Sequence, residues 1–284
     1  LAEKGLALSQ TQQNWIGQQA AYYVLGNIAF EEGAIEDARS KLEASLQAAR
    51  KSASPLAILA PLNGLADLEC HHEQYSSAIR LFEECLQIAR RLGSQYHTAI
   101  QLNNLGTVYH MLEKFDQART YYQQSLEICR DIGDLDGQAI AYSNLGEIAC
   151  VEQDFEAARK AYRHTLELGK KTGSAYTIGI ALANLGDIAL KTRDCSRARE
   201  YHGEALRTAR ECAISSLVAK SVRGLGEVLL LEGQTTAGAQ AMAMVLSNPA
   251  TSPEDAQKAQ ACLDQFNLAV PNPPDLEDWL NNLS

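Results

Sequence analysis

The chain lacks most of what marks a membrane, secreted or nucleic-acid-binding protein. No uninterrupted apolar run reaches the roughly 18 to 20 residues needed to span a bilayer, so no membrane association is expected. No secretory leader is legible, although the first residue is Leu1 and not Met. Positive charge is scarce: 25 Lys and Arg stand against 35 Asp and Glu, a net charge of −10. That balance argues against a direct, sequence-independent grip on nucleic acid, which needs clustered cations to displace counterions. Proline is rare, with seven in 284 residues, which suits uninterrupted helices.

Metal and disulfide patterns are missing as well. Cys70, Cys85, Cys129, Cys150, Cys195, Cys212 and Cys262 form no CxxC pair and no Cys/His cluster. An odd number of scattered cysteines suits free thiols in a reducing cytoplasm. His71 and His72 are adjacent, and adjacent residues on a helix point apart, so neither a metal nor a cofactor is expected. No GxSxG, HExxH or phosphate-binding loop occurs, and no nucleophile stands at fixed spacing from a base. The chain is not expected to be an enzyme.

What is present is a period. Leu25-Gly26, Leu65-Ala66, Leu105-Gly106, Leu145-Gly146, Leu185-Gly186 and Leu225-Gly226 recur every 40 residues without a slip. A period of that size means an array whose repeats bury their apolar faces only by stacking on one another. Thirteen residues after each Leu stands a small residue: Ala38, Ala78, Ala118, Ala158, Ala198 and Gly238. Four further on comes a mostly large one: Leu42, Phe82, Tyr122, Tyr162, His202, Met242. Four later runs an unbroken Leu column, Leu46 to Leu246. Spacings of three and four are helical, so each repeat is a pair of helices, with Gly and Ala in the first-helix stripe allowing close approach.

These columns resemble the tetratricopeptide repeat family, most clearly in YSNLGEIACVEQDFEAARKAYRHTLEL. The resemblance implies an all-α, right-handed superhelical solenoid of helix-turn-helix repeats. The usual repeat is about 34 residues, so both helices are expected to be about a turn longer here. Where the family often ends its second helix with Pro, this chain has Arg50, Arg90, Arg130, Lys170 and Arg210, which the helix dipole explains without a ligand. The expected organisation is the end of an upstream repeat at 1–12, six helix pairs at 13–250, a capping helix at 251–268 opened by Ser252 and Pro253, and a Pro-rich acidic tail at 269–284. In the tail Leu276, Trp279, Leu280 and Leu283 fall at helical spacing and favour docking as a short helix. The start reads as a second helix whose partner lies upstream, so the chain is expected to be part of a longer protein. Its C-terminal stretch resembles the sensor regions of bacterial signal-transduction ATPases of the STAND type, which implies an NTPase domain elsewhere in the parent chain.

The family's concave face is lined by first helices. One residue before the repeat Leu the column reads Val24, Gly64, Asn104, Asn144, Asn184, Gly224; two after it, Asn27, Asp67, Thr107, Glu147, Asp187, Glu227. Five before it, Ala20 and Ala60 give way to Ile100, Ile140 and Ile180, then Lys220. Each Asn amide offers a donor and an acceptor to a peptide backbone of any sequence. Helices about 10 Å apart would spread three of them over roughly 20 Å, about six residues of extended chain. Beside that reading stands a plain one, a solvated polar position preceding the packing pair. The candidate groove residues are Asn103, Asn104, Thr107, Asn144, Glu147, Asn184, Asp187, Arg223 and Glu227. The Lys and Asn clamp for a C-terminal carboxylate is not matched, since the column two before Leu reads Tyr23, Asn63, Asn103, Ser143, Ala183, Arg223. The leading expectation is a domain that binds a protein or peptide and works with other domains of its parent. A small-molecule sensor for a sugar or similar inducer, and an oligomerisation scaffold, stay open beside it.

Overall fold

In the computed structural model, which describes residues 2–282, the chain is an all-α repeat solenoid. Leu1 and the tail's Leu283 lie outside the described residues. The chain divides into two compact units, Leu1–Gly137 and Gln138–Ser284. The N-terminal unit holds α1 (Ala2–Thr11), α2 (Trp15–Glu31), α3 (Ile35–Lys51), a 3₁₀ turn (Pro55–Ile58), α4 (Leu59–His71), α5 (Tyr75–Arg91), α6 (Gln95–Met111) and α7 (Phe115–Asp131). The division falls in the first turn of α8 (Leu135–Val151), and the C-terminal unit continues through α9 (Phe155–Thr172), α10 (Ala175–Lys191), α11 (Cys195–Glu211), α12 (Ser215–Leu231), α13 (Thr235–Ser247), α14 (Pro253–Gln265) and α15 (Leu276–Asn281).

Twenty residues, not forty, is the mechanical period. Every twentieth residue from Gln13 to Gly233 has a positive φ, and each ends a helix at a turn of the same kind. Glycine supplies Gly33, Gly93, Gly133, Gly173 and Gly233, but Glu73, Glu113, Gln153 and Arg193 hold the left-handed conformation at φ 57 to 62° without that freedom. Each such residue costs about 1 to 2 kcal/mol. The next helix is capped where the sequence allows: Asn14, Ser94, Asp154, Ser174 and Asp194 each accept a bond from a backbone N–H three residues on.

Within each pair the large second-helix side chain lies on the small first-helix residue. A Cβ at Gly106 would stand 2.6 Å from Tyr122 Cε1, and one at Gly146 2.8 Å from Tyr162 Cε1. A second lock recurs 26 residues apart. Ser45, Ser125 and Thr165 donate to the carbonyls of Gln19, Ala99 and Ala139 at 2.8, 2.8 and 3.3 Å, and the Cys85 thiol reaches Leu59 O at 3.9 Å. Each buried bond of this kind contributes about 1 kcal/mol and fixes the register of its pair.

The C-terminal unit closes over its last repeat. Ala259 and Leu263 of α14 are fully buried against α13, and Trp279 of α15 is buried with Nε1 donating to Ala237 O at 2.9 Å. The Arg210 guanidinium pairs with Glu277, tying α15 to α11. The tail segment therefore completes a core here.

Candidate ligand-binding face

In the N-terminal unit the first helices α2, α4 and α6 contain no Lys or Arg, and their only carboxylates are Glu31, Asp67 and Glu69. Glu69 is neutralised by Arg39 of α3 at 2.6 Å. Helical spacing puts Asp67 of α4 and Asn104 and Thr107 of α6 on one cleft of about 280 Å³, with Phe82 and Val108 in its floor and Cys70, His71 and Met111 at its edge. The Thr107 hydroxyl is fixed, donating to Asn103 O at 3.2 Å and accepting from Tyr122 Oη at 3.3 Å. Asn103 is half-buried beside it. Neither the Asn104 amide nor the Asp67 carboxylate has a protein partner among the described residues. Although the tip of Asp67 is open to solvent, burial among its neighbours strips enough water to push its pKa up to about 6. Burial, with Asp67 and Glu69 nearby, pushes the Cys70 thiol up to about 11, so it is no nucleophile at neutral pH. On α2 the exposed Ile16, Val24 and Ile28 extend an apolar stripe.

The same columns in the C-terminal unit are arranged differently. On α8, Asn144 is half-buried and Glu147 exposed. On α10, Asn184 Oδ1 accepts from Lys220 Nζ at 2.7 Å, and Asp187 Oδ1 accepts from Arg223 at 2.6 Å. Arg223 also donates to Asp255 of α14 at 2.8 Å and to Glu227 at 3.4 Å. Burial alone would raise the Asp187 carboxyl, but Arg223, His202 and Lys220 hold it well below the usual carboxylate range. Burial raises Glu227 despite the attraction of Arg223. Beneath this network His202 is fully buried, in a slot where a Cβ at Gly224 would come within 2.2 Å of Nε2. Its Nε2 lies 3.4 Å from Asp187 Oδ1 without hydrogen-bond geometry, and Nδ1 has no partner among the described residues.

The structure thus brings Asn104 and Thr107 together at an open cleft and commits Asn184, Asp187 and Glu227 to internal bonds. The expectation for Arg223 is corrected: it is 2% exposed, with its nitrogens spent on three carboxylates. One position back along a helix is a turn of about 100°, which carries Arg223 off the open face and under α14. Sequence reasoning missed Asp255 and His202 as members of the network. It also missed His71 and Met111, which stand six residues after the repeat Leu and are readable by the same arithmetic. Among the described residues no group of three His, Cys, Asp or Glu side chains is arranged to hold a metal, and no helix is long and apolar enough to cross a membrane.

Comparison with known proteins agrees with this architecture. No curated protein matches the sequence. Among solved structures, BtubC from P. vanneervenii is 21% identical with a TM-score of 0.64 over 75% of this chain and 90% of its own. A signal-transduction ATPase with numerous domains and a tetratricopeptide repeat sensor, from Pyrococcus horikoshii, is 17% identical with a TM-score of 0.68 over 94% of this chain, which spans only 41% of that protein. NprR in complex with its cognate peptide NprX is 16% identical with a TM-score of 0.64, over 94% of this chain and 76% of its own; the apo form of NprR, a quorum sensor from B. thuringiensis, gives 15% and 0.65 over 98% and 78%. At these identities the likeness is one of fold. The tetratricopeptide repeat model itself matches residues 17–90, 57–131 and 137–211, most of the sequence, and the chain belongs to the tetratricopeptide repeat family.

Proposed function

We propose that the chain is a protein- or peptide-binding module, the sensor or partner-recognition part of a larger signalling or regulatory protein, and that an extended chain lies along the first helices of the N-terminal unit. The observation that carries this reading is the open cleft lined by Asn104, whose amide has no partner among the described residues. Its volume, about 280 Å³, lies just under the roughly 300 to 1,000 Å³ of small-molecule sites, so it suits one or two side chains better than a whole inducer. The Asn104 amide can pair with the backbone of the segment whose side chain fills the cleft. NprR is seen with a peptide, and the Pyrococcus protein carries its repeats as a sensor; both support a recognition role. On this reading the partners are a protein or peptide and the other domains of the parent, any NTPase chemistry belongs to those domains, and the site of action is the cytoplasm, where seven free thiols are at home.

The test compares two asparagines. Co-purification from source lysate, read by mass spectrometry, uses the native chain, Asn104→Ala and Asn184→Ala, with folding checked by circular dichroism. A partner kept by native and Asn184→Ala baits but lost, or weakened about tenfold (about 1.4 kcal/mol), with Asn104→Ala supports the reading. Equal retention by all three overturns it.

A further inference from the structure

We infer that the face of the N-terminal unit selects segments in which a lysine or arginine alternates with apolar residues, the cation being received by Asp67. The inference rests on the reading just given and adds the chemistry of the ligand.

Three observations converge on it. First, α2, α4 and α6 supply no Lys or Arg, so no such side chain on these helices competes with a ligand cation for Asp67. Second, Asp67 is the only carboxylate in the cleft and has no protein partner among the described residues, while Glu69 on the same helix is paired with Arg39. The carboxylate is exposed, yet it is set against Phe82, Val108 and Met111 and lacks a counter-charge; partial desolvation by these neighbours raises its pKa. A ligand cation would restore what it lacks through a charge-assisted bond, stronger than a neutral one. Third, the cleft itself offers Phe82, Val108 and Met111, and the first helix of the preceding repeat, α2, exposes Val24 and Ile28. In an extended segment, side chains two residues apart share a face. A pattern of apolar, any, Lys or Arg, any, apolar therefore sets its cation over Asp67 and its flanking side chains on the apolar surface. An acidic residue in the central position meets Asp67 as a like charge.

The probes are three fluorescein-labelled peptides of sequence Ser-Leu-Ser-X-Ser-Leu-Ser, with X as Lys, norleucine or Glu, titrated with the full chain and read by fluorescence anisotropy at 150 mM salt. Norleucine keeps the lysine stem and drops the charge. The Lys peptide is expected to bind at least tenfold more tightly than the norleucine peptide, with the Glu peptide weakest. Asp67→Asn should close the gap between Lys and norleucine, and Asp67→Lys should invert the order in favour of Glu. Glu43→Gln, which removes the same charge from an exposed site on α3, should leave the gap intact. Equal binding of Lys and norleucine peptides, or a gap that survives Asp67→Asn, overturns the inference. In either of those cases a uniform loss of affinity for all three peptides in Asn104→Ala still sustains the backbone reading, so the two claims fail separately. Failure of every peptide to bind overturns both.

Discussion

Two residues beyond the repeat leucine, Asp67 stands over an open cleft with no cation on its neighbouring first helices, while Asp187, at the same position of a later repeat, is held at 2.6 Å by Arg223. One residue before the leucine, Asn104 has no amide partner among the described residues, while Asn184 is taken by Lys220. The columns are the same and their uses are opposite. The difference is made by the next element along: α12 brings Lys220 and Arg223 to α10, and α14 brings Asp255, whereas α4 and α6 bring each other no Lys or Arg. A position in a repeat fixes where a side chain points; the neighbouring repeat decides whether it remains available.

The largest expected effect breaks the comparison on its closed side. Arg223→Ala leaves the buried Asp255 and the half-buried Asp187 without that guanidinium and should cost about 3 to 5 kcal/mol, seen as lost hydrogen-exchange protection in α12 and α14. Asn104→Ala, which breaks no internal bond, should stay within about 0.5 kcal/mol. Similar costs for the two would mean that the open and closed faces do not differ in what they hold together. Next in size come two glycines of one column. Gly224→Ala drives a Cβ to 2.2 Å from the His202 ring, which is confined on its other side by Gly186, and should cost about 1 to 3 kcal/mol by urea denaturation. Gly64→Ala meets Leu42 Cδ2 at 2.8 Å, the movable end of a flexible chain, and should cost less.

The smallest effect is one of sign. Asp67 has a folded pKa near 6 against an ordinary 3.8, so the folded state holds its proton more tightly. Its contribution to stability is therefore greatest below pH 4 and is lost as pH rises from about 4 to 6. Asp187, held below 3.8, works the other way: its contribution is present above that value and is lost only as pH falls through the depressed one. Thermal melts of Asp67→Asn should show a flatter profile than the native chain between pH 4 and 7, and Asp187→Asn should lose stability at neutral pH. A native profile unchanged by Asp67→Asn would show that the cleft does not desolvate its carboxylate.

How much of this was legible follows from range. The helix pairs were readable because Leu, Ala and the large residue sit at spacings of three and four, which local geometry converts directly into a face. The lock from Ser45, Cys85, Ser125 and Thr165 went unread: the sequence shows only small or polar residues of different types, and what unites them is a carbonyl 26 residues earlier. The left-handed turns were hidden for a similar reason, since Glu113 and Gln153 give no sign of a positive φ that glycine would have signalled. For the candidate site, the columns that bring Asn104, Thr107 and Asp67 to one cleft follow from helical spacing alone. The commitment of Asp187 was not readable, because it depends on the reach of Arg223 and on where α14 settles.

The regular cadence of the turns bears on how such a chain tolerates editing. Each 20-residue step ends in the same backbone geometry, so a 40-residue block from one left-handed residue to the next but one begins and ends at equivalent joints. Removing or duplicating the block from Glu73 to Leu112 rejoins like with like and leaves every helix in phase with the one before it. An insertion inside a helix that is not a whole repeat turns the residues after it off their packing columns by about 100° per inserted residue. The array is therefore open to growth and shortening in whole modules and closed to nearly everything between.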